Sequence, residues 1–509
     1  MKEIIDLITT IISFITPSNL LIISLGSIGG IIFGCLPGLT STMGIALLTG
    51  ITYGMDPEKA LLVLLGIYVG GTYGGSISAV LIGIPGTGSA AATVLDGNKL
   101  AQKGEGRTAL SLATLASFVG TIFGMVCLAV FTPALQSLAF KFTSVEYALL
   151  AVFGVSICGT LTAGGTPIKG WISGFLGLAL ACVGYEGIYS YPRFTYGVVG
   201  LASGIAIVPA LIGFFGIPSV LEELSSVHKK EKIVEIKKEK NDVNVFSMLK
   251  KHLRLILTSG VIGTFVGAVP GVGEDIAAWL SYDTAKKASK NPEEFGKGSY
   301  EGVIAAETAN NAAIGGAMIP LLSLAIPGSA PTAVLLGALM LHGIRPGPML
   351  GIDNPHFVVE MCAMLILAAI CMRVFGYLIC QIAPKILSVP AFILMPIITA
   401  LSVIGSYAIN LSKFDLYSML ILGVLGYFLS VMNYPAAPAV LGLILGGMAD
   451  TNLRRALMSS GGSLLPFVTR PVAIVIDLMI LFSLFGQTKF IKNMVSKVLQ
   501  IFSRKGEEK

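Results

Sequence analysis

The sequence predicts an all-α polytopic membrane protein of about 12 transmembrane helices, some of them broken or re-entrant, built as two internally repeated halves. Three observations carry this reading. Of 509 residues, 54% are hydrophobic and 12% charged, with a mean hydropathy of +0.83, whereas soluble domains carry about 25% charged residues. The apolar runs repeatedly reach the roughly 20 residues needed to cross a bilayer. A GxxxGxxPG element at Gly30–Gly38 returns at Gly263–Gly271.

The elements follow in order. Met1 to Thr16 opens with Lys2, Glu3 and Asp6 and shows no small-residue cleavage site, which favours an amphipathic lead-in helix over a cleaved signal. Apolar runs predict spans near 19–36, 58–83, 108–132, 145–163, 168–184 and 196–218, with a shorter piece at 41–54. A polar stretch over 222–251 holds His228-Lys229-Lys230-Glu231-Lys232 and Lys237-Lys238-Glu239-Lys240, and reads as a charged, cytoplasmic linker. Beyond it, spans are expected near 253–269, 301–326, 357–383, 386–408, 414–432 and 466–486, with shorter pieces at 274–288, 333–341 and 436–448. The membrane halves are then 1–221 and 252–488, and 489–509 forms a basic C-terminal tail.

The net charge of +6 concentrates in short loops and that tail, the pattern of membrane topology rather than of a nucleic-acid surface. Seven cysteines lie scattered in apolar segments without CxxC spacing, as small packing residues do; no disulfide framework or metal site is expected.

The repeat extends further. Ile84-Pro85-Gly86 is followed by Thr93-Val94-Leu95, and Ile326-Pro327-Gly328 by Ala333-Val334-Leu335; the pairs Gly74-Gly75 and Gly315-Gly316 precede them. Proline removes a backbone donor and glycine permits unusual angles, so Pro37-Gly38, Pro85-Gly86, Pro270-Gly271 and Pro327-Gly328 should each break a helix. Freed backbone groups are tolerated at membrane depth only inside protein or along a polar cavity. Paired breaks in corresponding positions point to a secondary transporter's binding site. Gly66, Gly70 and Gly74, at spacing four, let helices approach closely beside the breaks.

Polar side chains in apolar runs mark pathways or partners. Glu307, Asn310 and Asn311 fall at i, i+3 and i+4 on one helical face, fit either for substrate or ion, or as an interhelical clamp. Hydroxyls cluster after the breaks: Thr40, Ser41 and Thr42, then Thr87 and Ser89, then Ser329 and Thr332. Half-helices starting there would aim N–H groups and the positive dipole end at an anion, and the hydroxyls would serve as ligands or as caps. Glu274-Asp275, after the third break, is either a first-turn cap or an ion ligand. Enzyme signatures are missing: His228, His252, His342 and His356 form no HExxH, and no Walker A loop or GxSxG elbow occurs. The chain is therefore expected not to be an enzyme and to hold no metal.

Gly66-Ile67-Tyr68-Val69-Gly70-Gly71-Thr72-Tyr73-Gly74-Gly75-Ser76-Ile77, with Ile84-Pro85-Gly86 and Leu95-Asp96-Gly97, resembles the first signature of the large membrane subunit of the tripartite tricarboxylate transporters. Phe295-Gly296-Lys297-Gly298, Glu301-Gly302-Val303, Glu307-Thr308-Ala309-Asn310-Asn311-Ala312 and Gly343-Ile344-Arg345-Pro346-Gly347-Pro348 resemble the second. The resemblance spans nearly the whole chain. It departs from the family pattern at Thr87, where an acidic residue is common, at Ala306, where proline is usual, and at Ala325, where glycine is usual.

The resemblance implies a permease of a bacterial or archaeal inner membrane that uses an ion gradient to import carboxylates. It implies two partners: an extracytoplasmic solute-binding protein that delivers substrate, and a small membrane subunit with four spans. The candidate substrate-binding residues are Ser76, Thr87, Ser89, Asn310, Asn311, Ser329 and Thr332; the candidate ion-coupling residues are Glu307, Thr40 and Asp275. With few carboxylates in the spans, sodium is favoured over a proton as coupling ion, and no other cofactor is expected. The alternatives are an intramembrane enzyme acting on a carboxylated or lipid-linked substrate, and an assembly subunit with no pathway of its own.

Overall fold

The computed structural model describes residues 9–162, 166–225 and 244–485. Most of the expected linker, the basic tail and the first half of the lead-in segment fall outside the described residues. The main helices are α1 (Pro17–Cys35), α2 (Ser41–Thr52), α3 (Pro57–Leu81), α4 (Ala91–Gln102), α5 (Gly106–Ala139), α6 (Ser144–Thr162), α7 (Pro167–Ala181) and α8 (Ile207–Ser225). They continue as α9 (Leu253–Gly267), α10 (Gly273–Ala288), α11 (Tyr300–Leu324), α12 (Ala330–Leu341), α13 (Phe357–Leu387), α14 (Ala391–Asn410), α15 (Lys413–Val431), α16 (Ala436–Ser459) and α17 (Pro471–Phe485). Among the described residues the β structure is one short ribbon, Gly184–Tyr185 against Pro192–Arg193.

Among the described residues eight helices, α1, α3, α5, α8 and α13 to α16, are long and apolar enough to cross a membrane, so the chain is an all-α, multi-pass membrane protein. Six others are apolar but shorter. The 12 residues of α2 and of α12 reach only ~18 Å at 1.5 Å per residue, about half a bilayer core. Both begin just after a Pro-Gly break.

Two expected segments differ. The run at 196–218 is not one span: Tyr196, Gly197 and Gly204 take positive φ, and the helix starts only at Ile207. The piece at 436–448 is the front of the 24-residue α16. Its polar residues continue the helix because Asp450 pairs with Arg454 at 2.9 Å and with Arg193 at 3.0 Å.

Packing divides the chain into two units, Met1–Phe140 with Ile205–Met432, and Lys141–Gly204 with Asn433–Lys509. Each unit draws on both sequence halves. In the second, α7 and α16 meet backbone to backbone: a side chain at Gly177 would collide with Ala439 and one at Gly442 with Gly174. Glu146, at the start of α6, accepts from Arg470 Nε at 2.5 Å and from Thr143 N at 2.7 Å, which ties α6 to the start of α17.

In the first unit α1 packs on α3, and α9 packs on α11. The repeat is readable in these contacts. A Cβ at Gly30 would meet Ile67 O and one at Gly34 would meet Gly71 O; the corresponding Gly263 and Gly267 would meet Ala309 O and Ala313 O. Gly74 faces Ile31 O as Gly316 faces Thr264 O, and Gly86 faces Gly34 O as Gly328 faces Gly267 O. One gapless register therefore pairs α1 with α9, and another runs from α3 through the second break as from α11 through the fourth. It pairs Gly74 with Gly316, one place off the match of Gly74-Gly75 with Gly315-Gly316. Thr93 likewise falls opposite Leu335, two places from the Thr93 and Ala333 match. Dihedrals repeat as well: Gly38 (φ 85°) with Gly271 (φ 73°), and Gly83 (φ 76°) with Ala325 (φ 58°).

Ala325 ends α11 in the left-handed conformation, which costs an L-residue roughly 1–2 kcal/mol relative to glycine. Ala325→Gly is expected to stabilise the protein by up to about 1 kcal/mol, and Ala325→Val, β-branched at positive φ, to destabilise it. Thermal unfolding of the purified variants checks both signs.

Candidate functional site

The four Pro-Gly breaks are all non-helical, and each is followed by a helix start in the first unit. Thr40 caps α2, its side chain accepting from Met43 N at 3.2 Å. Thr87 precedes and Ser89 lies within the 3-10 turn Gly88–Ala90 that leads into α4, their hydroxyls 3.0 Å apart. Ser329 and Thr332 form a reciprocal capping box on α12, with Ser329 N donating to Thr332 Oγ1 at 2.8 Å. Thr40, Ser329 and Thr332 thus already serve as caps.

The breaks meet across the repeat. The α10 start packs on the Gly88–Ala90 turn and α4, and α12 packs on α2. Each half's post-break helix therefore lies against the other half's, as a two-fold relation requires. The Tyr68 hydroxyl on α3 donates to Glu274 on α10 and lies 3.2 Å from Ser329 Oγ. Asp275 is exposed, and a Cβ at Gly88, itself exposed, would fall 2.6 Å from its carboxylate.

The polar face of α11 has divided roles. Glu307, with no exposure, accepts from Ser76 Oγ at 2.5 Å, from Thr93 Oγ1, and from Ser117 Oγ at 2.8 Å. Three helices of the first half, α3, α4 and α5, thereby converge on one carboxylate of the second. Asn311 donates to Glu307 O at 3.2 Å and accepts from Thr121 at 3.4 Å. Asn310 is equally buried, yet neither its amide nitrogen nor its amide oxygen has a partner, a state that costs a buried polar group about 1–3 kcal/mol.

Sequence reasoning missed Tyr68, Thr93, Ser117 and Asp96. Asp96 Oδ1 accepts from the N–H groups of Gly296, Gly298 and Ser299, each at 2.8 Å, and Oδ2 accepts from the Tyr282 hydroxyl at 2.8 Å. Gly302 leaves room for that carboxylate. The signal was present: Leu95-Asp96-Gly97 and Phe295-Gly296-Lys297-Gly298 were both singled out, and they bind each other. Glu274, left open between cap and ligand, is the partner of Tyr68. Among the described residues no three His, Cys, Asp or Glu side chains are grouped as a metal site needs.

Comparison with known proteins agrees with this architecture. The model of the tripartite tricarboxylate transporter TctA family matches residues 20–441. An uncharacterized 52.8 kDa protein of the TAR-I ttuC' 3'region of Agrobacterium vitis is 36% identical over 462 residues, covering 90% of this chain and 91% of that protein. A second from the TAR-II ttuC' 3'region of the same organism is 38% identical over 211 residues, covering 42% of this chain and 87% of that protein. No solved structure matches the chain.

Asp96→Ala removes the acceptor of three N–H groups, of which that of Ser299 is buried, and is expected to cost about 1–3 kcal/mol, seen as a lower unfolding temperature. Glu307→Gln, which keeps an acceptor for Ser76 and Thr93 but faces Ser117 with a donor, should cost about 1–2 kcal/mol by the same measurement.

Proposed function

This chain belongs to the tripartite tricarboxylate transporter TctA family, and on that premise we propose that it is the permease subunit that carries carboxylates inward across a bacterial or archaeal inner membrane, driven by an ion gradient. As a member it is a multi-pass component of a tripartite transporter, a type of assembly that includes a small membrane subunit and a solute-binding subunit. In the proposal the solute-binding protein works at the outer face and hands over substrate, and the small subunit crosses the membrane four times.

The observation that carries this reading is the crossed pair of broken helices. Half-length helices α2 and α12 pack on each other, as do α4 and α10, and each begins shortly after a break, where its first-turn N–H groups lie. Such ends favour anions by ~0.3–1 kcal/mol each at exposed sites, more where buried. Substrate carboxylates bind there. An assembly subunit with no pathway would gain nothing from breaking the same helix twice.

Coupling needs a cation beside that anion. Asp275, exposed and set against Gly88, supplies a carboxylate open to a sodium ion, whereas Glu307 is saturated by three hydroxyls. Sodium is preferred to a proton because this carboxylate and the break carbonyls and hydroxyls are oxygen ligands without a relay of acids.

The test is uptake of labelled citrate or succinate into proteoliposomes holding the chain and its small subunit, with solute-binding protein outside. Uptake is expected to follow an imposed inward sodium gradient and, at low substrate, to need the solute-binding protein. Asp275→Asn should raise the sodium concentration for half-maximal uptake by about tenfold, the factor that 1.4 kcal/mol represents. Uptake that ignores sodium and follows a pH gradient would reverse the ion; no uptake under any gradient would defeat the reading.

A further inference from the structure

The repeat register sets two pockets side by side for comparison. Tyr68 on α3 corresponds to Asn310 on α11, Glu274 on α10 to Ser41 on α2, and Ser329 after the fourth break to Thr87 after the second. In one pocket all three members are bonded: the Tyr68 hydroxyl sits between the Glu274 carboxylate and Ser329 Oγ. In the other, the carboxylate-bearing member is replaced by Ser41, whose side chain stops at Cβ–Oγ, and the long phenol by the shorter Asn310. That pocket carries no acid of its own, and its amide has no partner.

Two observations aim Asn310 into this second pocket. Along α11 and α4, which run in opposite directions past each other, Gly302 lies against Asp96 and Glu307 bonds Thr93. The next level therefore sets Asn310 beside the Ser89–Ala90 turn, and α11 does pack on that turn. The two-fold relation gives the same answer, because it carries the reach of Tyr68 toward Glu274 and Ser329 into a reach of Asn310 toward Ser41 and Thr87. Asn310, Ser41, Thr87 and Ser89 are all buried, so an anion held among them would be shielded from water.

We propose that Asn310, Ser41, Thr87 and Ser89 form the seat of one substrate carboxylate, and that Glu274 in the twin pocket is a built-in carboxylate occupying the equivalent place. The inference rests on the chain's reading as a carboxylate permease and names where one acidic group of the substrate goes. The Asn310 amide nitrogen and the hydroxyls donate to the carboxylate oxygens, as Tyr68 donates to Glu274. The N–H groups at the start of the 12-residue α2 add donors that a carboxylate without a cationic partner needs.

The twin pocket also supplies the experiment. Ser41→Glu writes beside Asn310 the acid that the twin pocket already has. Purified full-length chain is heated with and without 10 mM citrate or succinate, and exchange of the same acids is measured in proteoliposomes. The unmodified chain is expected to gain several degrees with a bound acid. Ser41→Glu should keep or raise the acid-free midpoint and lose the gain, and Asn310→Ala should weaken the apparent affinity by about tenfold or more. If Ser41→Glu does not fold, Asn310→Ala and Thr87→Ala decide. An unmodified chain that responds, with variants that respond equally, overturns this pocket and leaves the permease reading standing. A chain that neither responds to nor exchanges any carboxylate removes both.

Discussion

Backbone that leaves a helix within an apolar chain must be enclosed by protein, because lipid offers it no hydrogen-bond partner. Four Pro-Gly breaks impose that constraint four times, and the first unit is organised to meet it. Close contact through glycine draws α1 onto α3 and α9 onto α11, so that the second and fourth breaks lie against the ends of α1 and α9: Gly86 against Gly34 O, Gly328 against Gly267 O. A bulkier residue at any of these positions would open a gap at unpaired backbone. Each such contact contributes only about 0.5–1 kcal/mol through Cα–H···O bonds, but the same geometry repeats along both helix pairs. The Glu307 hub adds a directional clamp, fixing α11 to α3, α4 and α5 through three hydroxyls.

What the sequence made legible is what depends on local chemistry. Pro-Gly in an apolar run announces a break wherever it stands, and the breaks at Pro37, Pro85, Pro270 and Pro327 are where they were expected. Helix existence followed from apolar runs, while their ends shifted where tertiary pairing intervened: the piece expected at 436–448 runs on through Asp450, which is paired with Arg193 and Arg454 inside α16. The repeat was visible through its glycines, but its register was not. Glycine pairs occur too densely to anchor an alignment, and only the carbonyl each glycine faces selects one pairing.

The site residues divide along the same line. Thr40 and Ser329 can be read as caps from their place before a helix, and Thr332 as the partner in the first turn, and the helical spacing of Glu307 and Asn311 puts them on one face. That Glu307 is saturated while Asn310 is unpartnered depends on which hydroxyls other helices bring. Asp96 shows the same limit: two glycine-rich motifs nearly two hundred residues apart are one latch. Ala325 is the converse case, since a departure from the family's glycine acquired a physical meaning once its φ of 58° was known.

The burial of α11 bears on how the chain is assembled. From Gly302 to Leu324 every residue of this helix is buried, although it carries Glu307, Asn310 and Asn311 and is not among the helices apolar enough to cross a membrane by composition. An isolated segment of this kind partitions poorly into lipid, since one central acidic residue alone costs about 2.5–3.5 kcal/mol. Its greasy surroundings are supplied by α5 and α9, which flank it through Gly120, Gly124, Gly263 and Gly267. During synthesis α11 must therefore leave the insertion machinery into protein already in place rather than into bilayer. The hydroxyls of Ser76, Thr93 and Ser117, all translated earlier, are waiting for its carboxylate when it arrives, so the order of the genes' codons is also an order of solvation.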